Sequence, residues 1–187
     1  MRESERDSSR PGFRSGFVVL AGKPNTGKST LLNALVGTKL AAVSPKPQTT
    51  RTCIQGVVTR DTAQIVLLDT PGIHQPTTHL NRQMMVAVTE AFSGVDLALL
   101  VVDASRPRGE EDRLAAATIK RSGLKSLLVL NKIDLIEKER LLPLIDTYRQ
   151  EYDFAASIPI SALHHENLDR LESVICEHLP LGPPLFP

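Results

Sequence analysis

Residues 22–29 read Gly-Lys-Pro-Asn-Thr-Gly-Lys-Ser, and the apolar residues 17–21 run directly into them. Residues 29–36 follow with apolar side chains at helical spacing. A strand, then G-x-x-x-x-G-K-S, then a helix is the context of a phosphate-binding P-loop. The glycines let backbone N–H groups point inward at an anion, and the helix adds the positive end of its dipole. The stretch therefore predicts a site for a nucleoside triphosphate.

Every residue of this loop, and the one after it, is a candidate nucleotide contact: Gly22, Lys23, Pro24, Asn25, Thr26, Gly27, Lys28, Ser29 and Thr30. We expect Lys28 to reach the outer phosphates and the Ser29 hydroxyl to ligate their Mg²⁺. Asp69 ends a strand predicted beside the P-loop strand, where a carboxylate can hold the same ion through water. The alternative for Asp69 is a cap of the turn before Pro71.

A second polar group, Asn-Lys-Ile-Asp at residues 131–134, follows another apolar strand. The Asp134 carboxylate can accept two hydrogen bonds from the N1–H and the amine of guanine. Adenine lacks this donor pair, and a buried site built for such groups rejects the analogue by about 10⁴-fold. Lys132 is expected to lie along the base and Asn131 to brace the P-loop. The pattern therefore favours guanine.

Three loops add weaker candidates. Ser161, Ala162 and Leu163 end the last predicted strand, where backbone N–H groups can reach the guanine carbonyl. In the long loop before residue 53, Thr49 and Thr50 can complete the magnesium shell, although they are also ordinary loop threonines. A backbone N–H at Gly72 can point at the γ-phosphate, and loss of that contact would release its loop.

The composition excludes several other classes of protein. The 187 residues are 41% hydrophobic and 23% charged with a net charge of +1, so no global field attracts nucleic acid or anionic lipid. Cys53 and Cys176 stand alone and indicate free thiols in a reducing compartment. No secretory signal or membrane-length apolar run is found, and the histidines lack metal-ligand spacing. The sequence predicts a cytoplasmic protein.

Strands and helices alternate, which predicts an α/β fold of the P-loop NTPase class. We expect a mainly parallel six-stranded sheet with one antiparallel edge strand and helices on both faces. The predicted strands are residues 17–21, 53–59, 63–68, 95–102, 126–130 and 155–160. The predicted helices are residues 29–36, 80–92, 109–121, 137–151 with a break at Pro143, and 167–178. Residues 1–15 are expected to form a disordered tail, 16–179 the GTPase domain and 180–187 a linker stub.

The ordered motifs G-K-P-N-T-G-K-S, Q-T-T-R, D-T-P-G, N-K-I-D and S-A-L resemble those of translation-factor-class GTPases. Residues 42–51 and 69–74 resemble the Era family of ribosome-assembly GTPases more closely, and the resemblance covers residues 16–187. It implies that Thr50 is the switch threonine, that residues 69–73 begin the second switch, and that residues 131–134 read guanine. It also implies GTP/GDP and Mg²⁺ as ligands and the small ribosomal subunit or its assembly factors as partners. The resemblance also makes peripheral membrane association an expectation, and a monomer is expected.

The sequence departs from that family at three places. Thr52 stands where the family usually has histidine, and His164 and His165 occupy a loop that usually bears glycine. The family continues past a Gly-Pro-rich linker into a KH domain that grips ribosomal RNA. This sequence ends in that linker, at Pro187, and contains no G-x-x-G clamp, so the resemblance implies the GTPase activity and not direct RNA binding.

The candidate catalytic residues are Lys28, Asn25, Thr50 and Gly72. Many GTPases orient the attacking water with a glutamine after this glycine, but here the residue is Ile73. The resemblance implies that Asn25 helps to hold K⁺, and we expect slow hydrolysis stimulated by potassium. Ile73 also leaves open a module that senses GTP or GDP with negligible turnover. A third alternative, an ATP-dependent phosphotransferase, is disfavoured by residues 131–134.

Overall fold

The computed structural model of the chain describes residues 12–37, 53–69 and 94–187. Six strands form one sheet in the order β2-β3-β1-β4-β5-β6, with β2 antiparallel at one edge and the other pairs parallel. The strands are β1 Arg14–Ala21, β2 Cys53–Thr59, β3 Ala63–Asp69, β4 Leu97–Asp103, β5 Ser126–Asn131 and β6 Ala156–Pro159. The predicted fold class is confirmed.

Helices in the described ranges cover both faces of this sheet. They are α1 Lys28–Val36, α2 Glu110–Ser122, α3 Leu141–Arg149 and α4 Leu168–His178, with 3₁₀ turns at Ile133–Leu135 and Lys138–Arg140. The predicted helix at residues 80–92 lies outside the described residues.

One helix prediction is wrong in detail. The predicted helix at 137–151 is a 3₁₀ turn followed by α3, and α3 begins at Leu141. Pro143 therefore lies in the first turn of α3 and not at a break inside a longer helix. A proline is tolerated there because the N–H groups of a first turn have no partner within the helix.

The central strands are apolar because both of their faces are covered. Every residue of β4 and β5 is buried. Successive side chains alternate between two core clusters, so Val18 packs with α1 and α4 while Val19 packs with α2 and α3. The helical crossovers between parallel strands cover both faces of the sheet. This double burial explains the nearly unbroken hydrophobic runs.

The amino-terminal boundary differs from the prediction. Strand β1 begins at Arg14, three residues before the predicted strand, and Arg14 and Ser15 pair in register with Ala63 and Gln64 of β3. The expected tail up to residue 15 is therefore too long. Because the side chains at these two positions are polar, the apolar run in the sequence begins later than the strand does.

Residues 180–187 pack on the amino-terminal edge of the sheet and do not leave it as the expected linker. Leu181 forms an antiparallel bridge with Arg14. The buried Gln64 accepts hydrogen bonds through Oε1 from the N–H groups of Leu185 (2.7 Å) and Phe186 (2.9 Å). Its Nε2 donates to the Phe186 carbonyl oxygen at 3.0 Å. One neutral amide thus anchors the segment to β3.

The described helices include none that combines the length and the apolar character needed to cross a bilayer.

Candidate nucleotide-binding site

The P-loop joins β1 to α1 at the carboxyl-terminal edge of the sheet. Gly22 has φ +147, and a Cβ there would lie 2.2 Å from the backbone oxygen of Val101. Gly27 has φ +93, and a Cβ there would lie 2.2 Å from Nδ2 of Asn131. Both the backbone conformation and the available space therefore require glycine at these two positions.

Lys28 is the first residue of α1, and its side chain turns back over the loop. Its Nζ donates hydrogen bonds to the carbonyl oxygens of Gly22 (2.9 Å) and Lys23 (2.6 Å). The buried Thr26 also donates its hydroxyl to the Lys23 carbonyl oxygen at 3.1 Å. The ammonium is thus held at the mouth of the loop, where the outer phosphates of a nucleotide bind in P-loops.

The Lys23 side chain has a structural partner outside the loop. Its Nζ lies 2.7 Å from Oδ2 of Asp112, whose side chain is only 3% exposed. The same carboxylate oxygen accepts the N–H of Gly109 at 2.9 Å and so caps α2. Lys23 therefore fastens the P-loop to α2, and only its backbone remains a candidate nucleotide contact. Local sequence patterns do not predict this pair, because the two residues are 89 positions apart.

Asn131 connects the base half of the site to the phosphate half. Its Nδ2 donates to the carbonyl oxygen of Thr26 at 2.9 Å, so the predicted brace on the P-loop is observed. Its Oδ1 accepts the N–H groups of Lys132 (2.8 Å) and Ala162 (3.0 Å). The side chain is buried, and both its nitrogen and its oxygen are hydrogen-bonded. It therefore connects the ends of β1, β5 and β6.

Lys132 adds a second connection to the P-loop. Its Nζ donates to the carbonyl oxygen of Asn25 at 2.8 Å and pairs with Oδ2 of Asp103 at 2.6 Å. Both Asn25 and Lys132 have left-handed backbone conformations, with φ of 63 and 67. Such conformations are strained for non-glycine residues and are frequent at ligand sites.

Asp134 is oriented by the loop after β6. Its Oδ1 accepts a hydrogen bond from the Ser161 hydroxyl at 2.6 Å, and Nε2 of His164 lies 3.6 Å from its Oδ2. The N–H of Ala162 is given to Asn131, while the Leu163 side chain is 70% exposed. Of the three residues in the Ser-Ala-Leu pattern, Ser161 and Ala162 thus hold Asp134 and Asn131 in place.

A cavity of ≈ 780 Å³ lies over the P-loop and the start of α1 and reaches Lys132 of the base motif. It is lined by Leu20, Pro24, Asn25, Gly27, Lys28, Ser29, Thr30, Leu32, Asn33, Gln55, Leu68 and Lys132. Two lysines, Lys28 and Lys132, are among these residues, and the positive charge of Lys28 at the loop suits an anionic ligand.

The predicted magnesium ligands are only partly within the described ranges. Ser29 is exposed at the start of α1, and Asp69 ends β3, the strand that pairs directly with β1. A hydroxyl and an acidic residue at one edge of the sheet fit the oxygen ligands that Mg²⁺ prefers. Thr49, Thr50 and Gly72 lie outside the described residues, and so does Ile73.

A P-loop after β1 combined with Asn-Lys-x-Asp after β5 is the arrangement of P-loop GTPases. The family model described as "50S ribosome-binding GTPase" matches residues 17–132, and the chain belongs to this family.

Within this class, the chain is similar to the GTPase Era. It is 50% identical to Era of Syntrophus aciditrophicus (strain SB) over 175 residues, which are 94% of this chain and 57% of that protein. Era of Trichlorobacter lovleyi is 47% identical, with 94% and 59% covered. A crystal structure of Era with MgGDPNP and nucleotides 1506–1542 of 16S ribosomal RNA superposes with a TM-score of 0.76 at 40% identity. The match covers 94% of this chain and 60% of that one.

The predicted resemblance to Era is thereby confirmed. The chain spans less than two thirds of the length of each of these relatives.

Proposed function

We propose that the chain binds GTP with Mg²⁺ and hydrolyses it to GDP and phosphate, as a switch in assembly of the small ribosomal subunit. One observation carries the proposal. Asn131 and Lys132 donate hydrogen bonds to the P-loop carbonyl oxygens of Thr26 and Asn25, at 2.9 and 2.8 Å. The residues expected to read guanine and those expected to hold phosphate therefore form one connected site.

Guanine is the base that these side chains fit. The Asp134 side chain is held by Ser161 through one oxygen, Oδ1. A carboxylate in this position can accept from both the N1–H and the amine of guanine, whereas adenine would leave it without those donors. The Lys132 stem, fixed at its ammonium, would cover the plane of the base.

Hydrolysis requires water to attack the γ-phosphate while charge develops on the phosphate oxygens. Lys28 supplies positive charge at the loop mouth, and Ser29 and Asp69 would hold the Mg²⁺, which neutralises charge on the β- and γ-phosphates. Ile73 has no group that can orient a water. Asn25 is an exposed residue of the P-loop, and we propose that its side chain helps to hold K⁺.

The ribosomal partner is supported by the relatives. The family description names the 50S particle, but the Era structure contains a fragment of 16S RNA, which belongs to the small subunit. Because the chain is 50% and 47% identical to two Era proteins over 94% of its length, we favour the small subunit. A monomeric state, a cytoplasmic location and peripheral membrane association stay predictions.

Calorimetry with GTP·Mg²⁺ and ATP·Mg²⁺ tests the base assignment. We expect the parent to prefer GTP, and we expect Asp134→Ala to weaken GTP binding about 100-fold because a charged acceptor of two hydrogen bonds is lost. Asp153→Ala, a change of an exposed acid outside the site, should leave the affinity unchanged. Equal affinity of the parent for GTP and ATP would refute guanine recognition.

Single-turnover hydrolysis separates an enzyme from a nucleotide sensor. We expect slow conversion of bound GTP to GDP, faster in KCl than in NaCl, and loss of that difference in Asn25→Ala. Binding without conversion in either salt would favour the sensing module that Ile73 leaves open. Equal rates for both proteins in both salts would disprove the role of potassium.

A further inference from the structure

Asp103 is an acidic residue that neither the P-loop nor the guanine motif includes. It is the last residue of β4, it lies in register with Asn131 of β5, and its side chain is only 3% exposed. The next residue after Asn131 is Lys132. The order of the strands thus brings a buried carboxylate beside the lysine of the base site.

The two oxygens of Asp103 have different partners. Oδ1 accepts hydrogen bonds from the N–H (3.0 Å) and hydroxyl (2.5 Å) of Ser105, which closes a local turn. Oδ2 faces Nζ of Lys132 at 2.6 Å, and Nε of the exposed Arg106 is farther away at 3.8 Å. The turn therefore accounts for one oxygen and the lysine for the other.

Asp103 is ionised under ordinary conditions. Burial alone raises the pKa of its carboxyl, but the hydrogen bonds from Lys132 and Ser105 outweigh burial and hold the pKa below its usual value. The contact with Lys132 is thus a charged pair.

A lysine side chain is long and flexible, so one contact rarely fixes its path. The Lys132 ammonium has two contacts, Asp103 on one side and the carbonyl oxygen of Asn25 on the other. Its stem must then cross between the end of β4 and the P-loop, along the wall of the cavity. The backbone of Lys132 is held in a left-handed conformation as well. The residue is preorganised along its whole length.

We propose that Asp103 is a positioning residue for guanine nucleotide: it holds the Lys132 ammonium against the P-loop so that the stem is already placed to cover the base. The inference rests on the proposed nucleotide binding. It adds a residue of β4 to a site otherwise built from the ends of β1, β3, β5 and β6. Preorganisation of this kind improves affinity mainly by slowing dissociation.

The test combines Asp103→Asn with Lys132→Met. In Asp103→Asn an amide oxygen can still accept from Ser105, but the charge opposite Lys132 is lost. We expect the Kd for GDP to rise about tenfold, mostly through faster release of a fluorescent GDP analogue. Ser105→Ala is the matched control, because it weakens the turn and keeps the Lys132 contact. It should leave the Kd unchanged.

The decisive result is the double variant. If Asp103 acts through Lys132, adding Asp103→Asn to Lys132→Met causes no further loss of GDP affinity. If the two losses multiply, or if Ser105→Ala weakens binding as much as Asp103→Asn, the role of Asp103 is structural and the proposal is wrong. Urea unfolding of each variant confirms that it is folded. If the parent binds GTP and GDP but the losses in the two variants multiply, only this inference is refuted. If the parent binds neither nucleotide, the proposed function is refuted and this inference with it.

Discussion

The two edges of the sheet differ in the polar groups that they leave accessible. At the carboxyl edge Lys28 and Lys132 line an open cavity, beside the buried neutral amide of Asn131. At the amino edge Gln64 is neutral and fully buried, and both atoms of its amide are hydrogen-bonded. The two lysines around the cavity keep charge accessible to a ligand, whereas the buried contact at Gln64 is made by a satisfied neutral amide, which costs less to bury than a charge.

Backbone strain follows the same division. Four non-glycine residues among those described have positive φ: Asn25, Lys132, His165 and Asn167. All four follow the carboxyl ends of strands, in the P-loop and after β5 and β6. Strain of this kind persists where surrounding contacts over-determine the backbone, and it is frequent at binding sites.

The largest expected effect is at the carboxyl edge, in Gly27→Ala. The new Cβ would displace the Asn131 amide from Thr26 in addition to straining the backbone. We expect a loss of about 3 kcal/mol in the free energy of unfolding and of at least about 100-fold in GDP affinity. Urea denaturation and nucleotide titration measure the two quantities.

Gly123→Ala is the control for strain alone, because Gly123 has φ +71 and nothing lies within 4 Å of its Cβ position. It should cost about 1 kcal/mol and leave GDP affinity unchanged. Equal losses in the two variants would mean that the contact with Asn131 is unimportant.

A smaller effect, at the amino edge, is expected from Gln64→Leu. The leucine fills a similar volume but leaves the N–H groups of Leu185 and Phe186 without an acceptor. We therefore expect the free energy of unfolding to fall by about 2 kcal/mol. Hydrogen exchange at these two amides should accelerate while GDP affinity is retained. Gln150→Leu, at an exposed position, is the control. Unchanged exchange at both amides would show that Gln64 does not anchor the segment.

The smallest effect concerns a charge at the amino edge. Arg60, in the β2–β3 turn, makes two hydrogen bonds to Glu172 of α4, at 2.5 and 2.8 Å, but its side chain is 53% exposed. A double-mutant cycle with both residues changed to alanine should give a coupling free energy of about 0.5 kcal/mol, falling in high salt. If the coupling free energy of Arg60 and Glu172 exceeded the loss in the free energy of unfolding in Gln64→Leu, the exposed charge pair would contribute more to stability than the buried amide, contrary to our expectation.

The sequence predicted what local chemistry determines. The P-loop needs its strand, its glycines and its helix in one continuous stretch, and the hydrophobic runs of β4 and β5 indicated strands covered on both faces. Asp69 was predicted as a functional acid because it ends such a strand. Asp103 ends β4 in the same way, but it belongs to no familiar motif, so the sequence did not mark it as functional.

Contacts between distant parts of the chain could not be predicted in this way. The pair of Lys23 and Asp112 and the anchor of Phe186 on Gln64 span 89 and 122 positions. They depend on the order of strands and on which helix covers which face, and alternation of strands and helices does not specify either. Residues 180–187 are rich in proline and glycine, so composition alone favoured a linker. The buried amide that receives them is visible only in the fold.

The anchor at Gln64 also has a mechanical consequence. Gln64 and Asp69 belong to the same strand, β3, and at about 3.3 Å per residue they are about 17 Å apart. Tension applied to the chain at Pro187 would load β3 through the Gln64 amide before it reached any described helix. Because β3 is hydrogen-bonded to both β1 and β2 along its length, that load would spread into all three strands on its way toward residue 69.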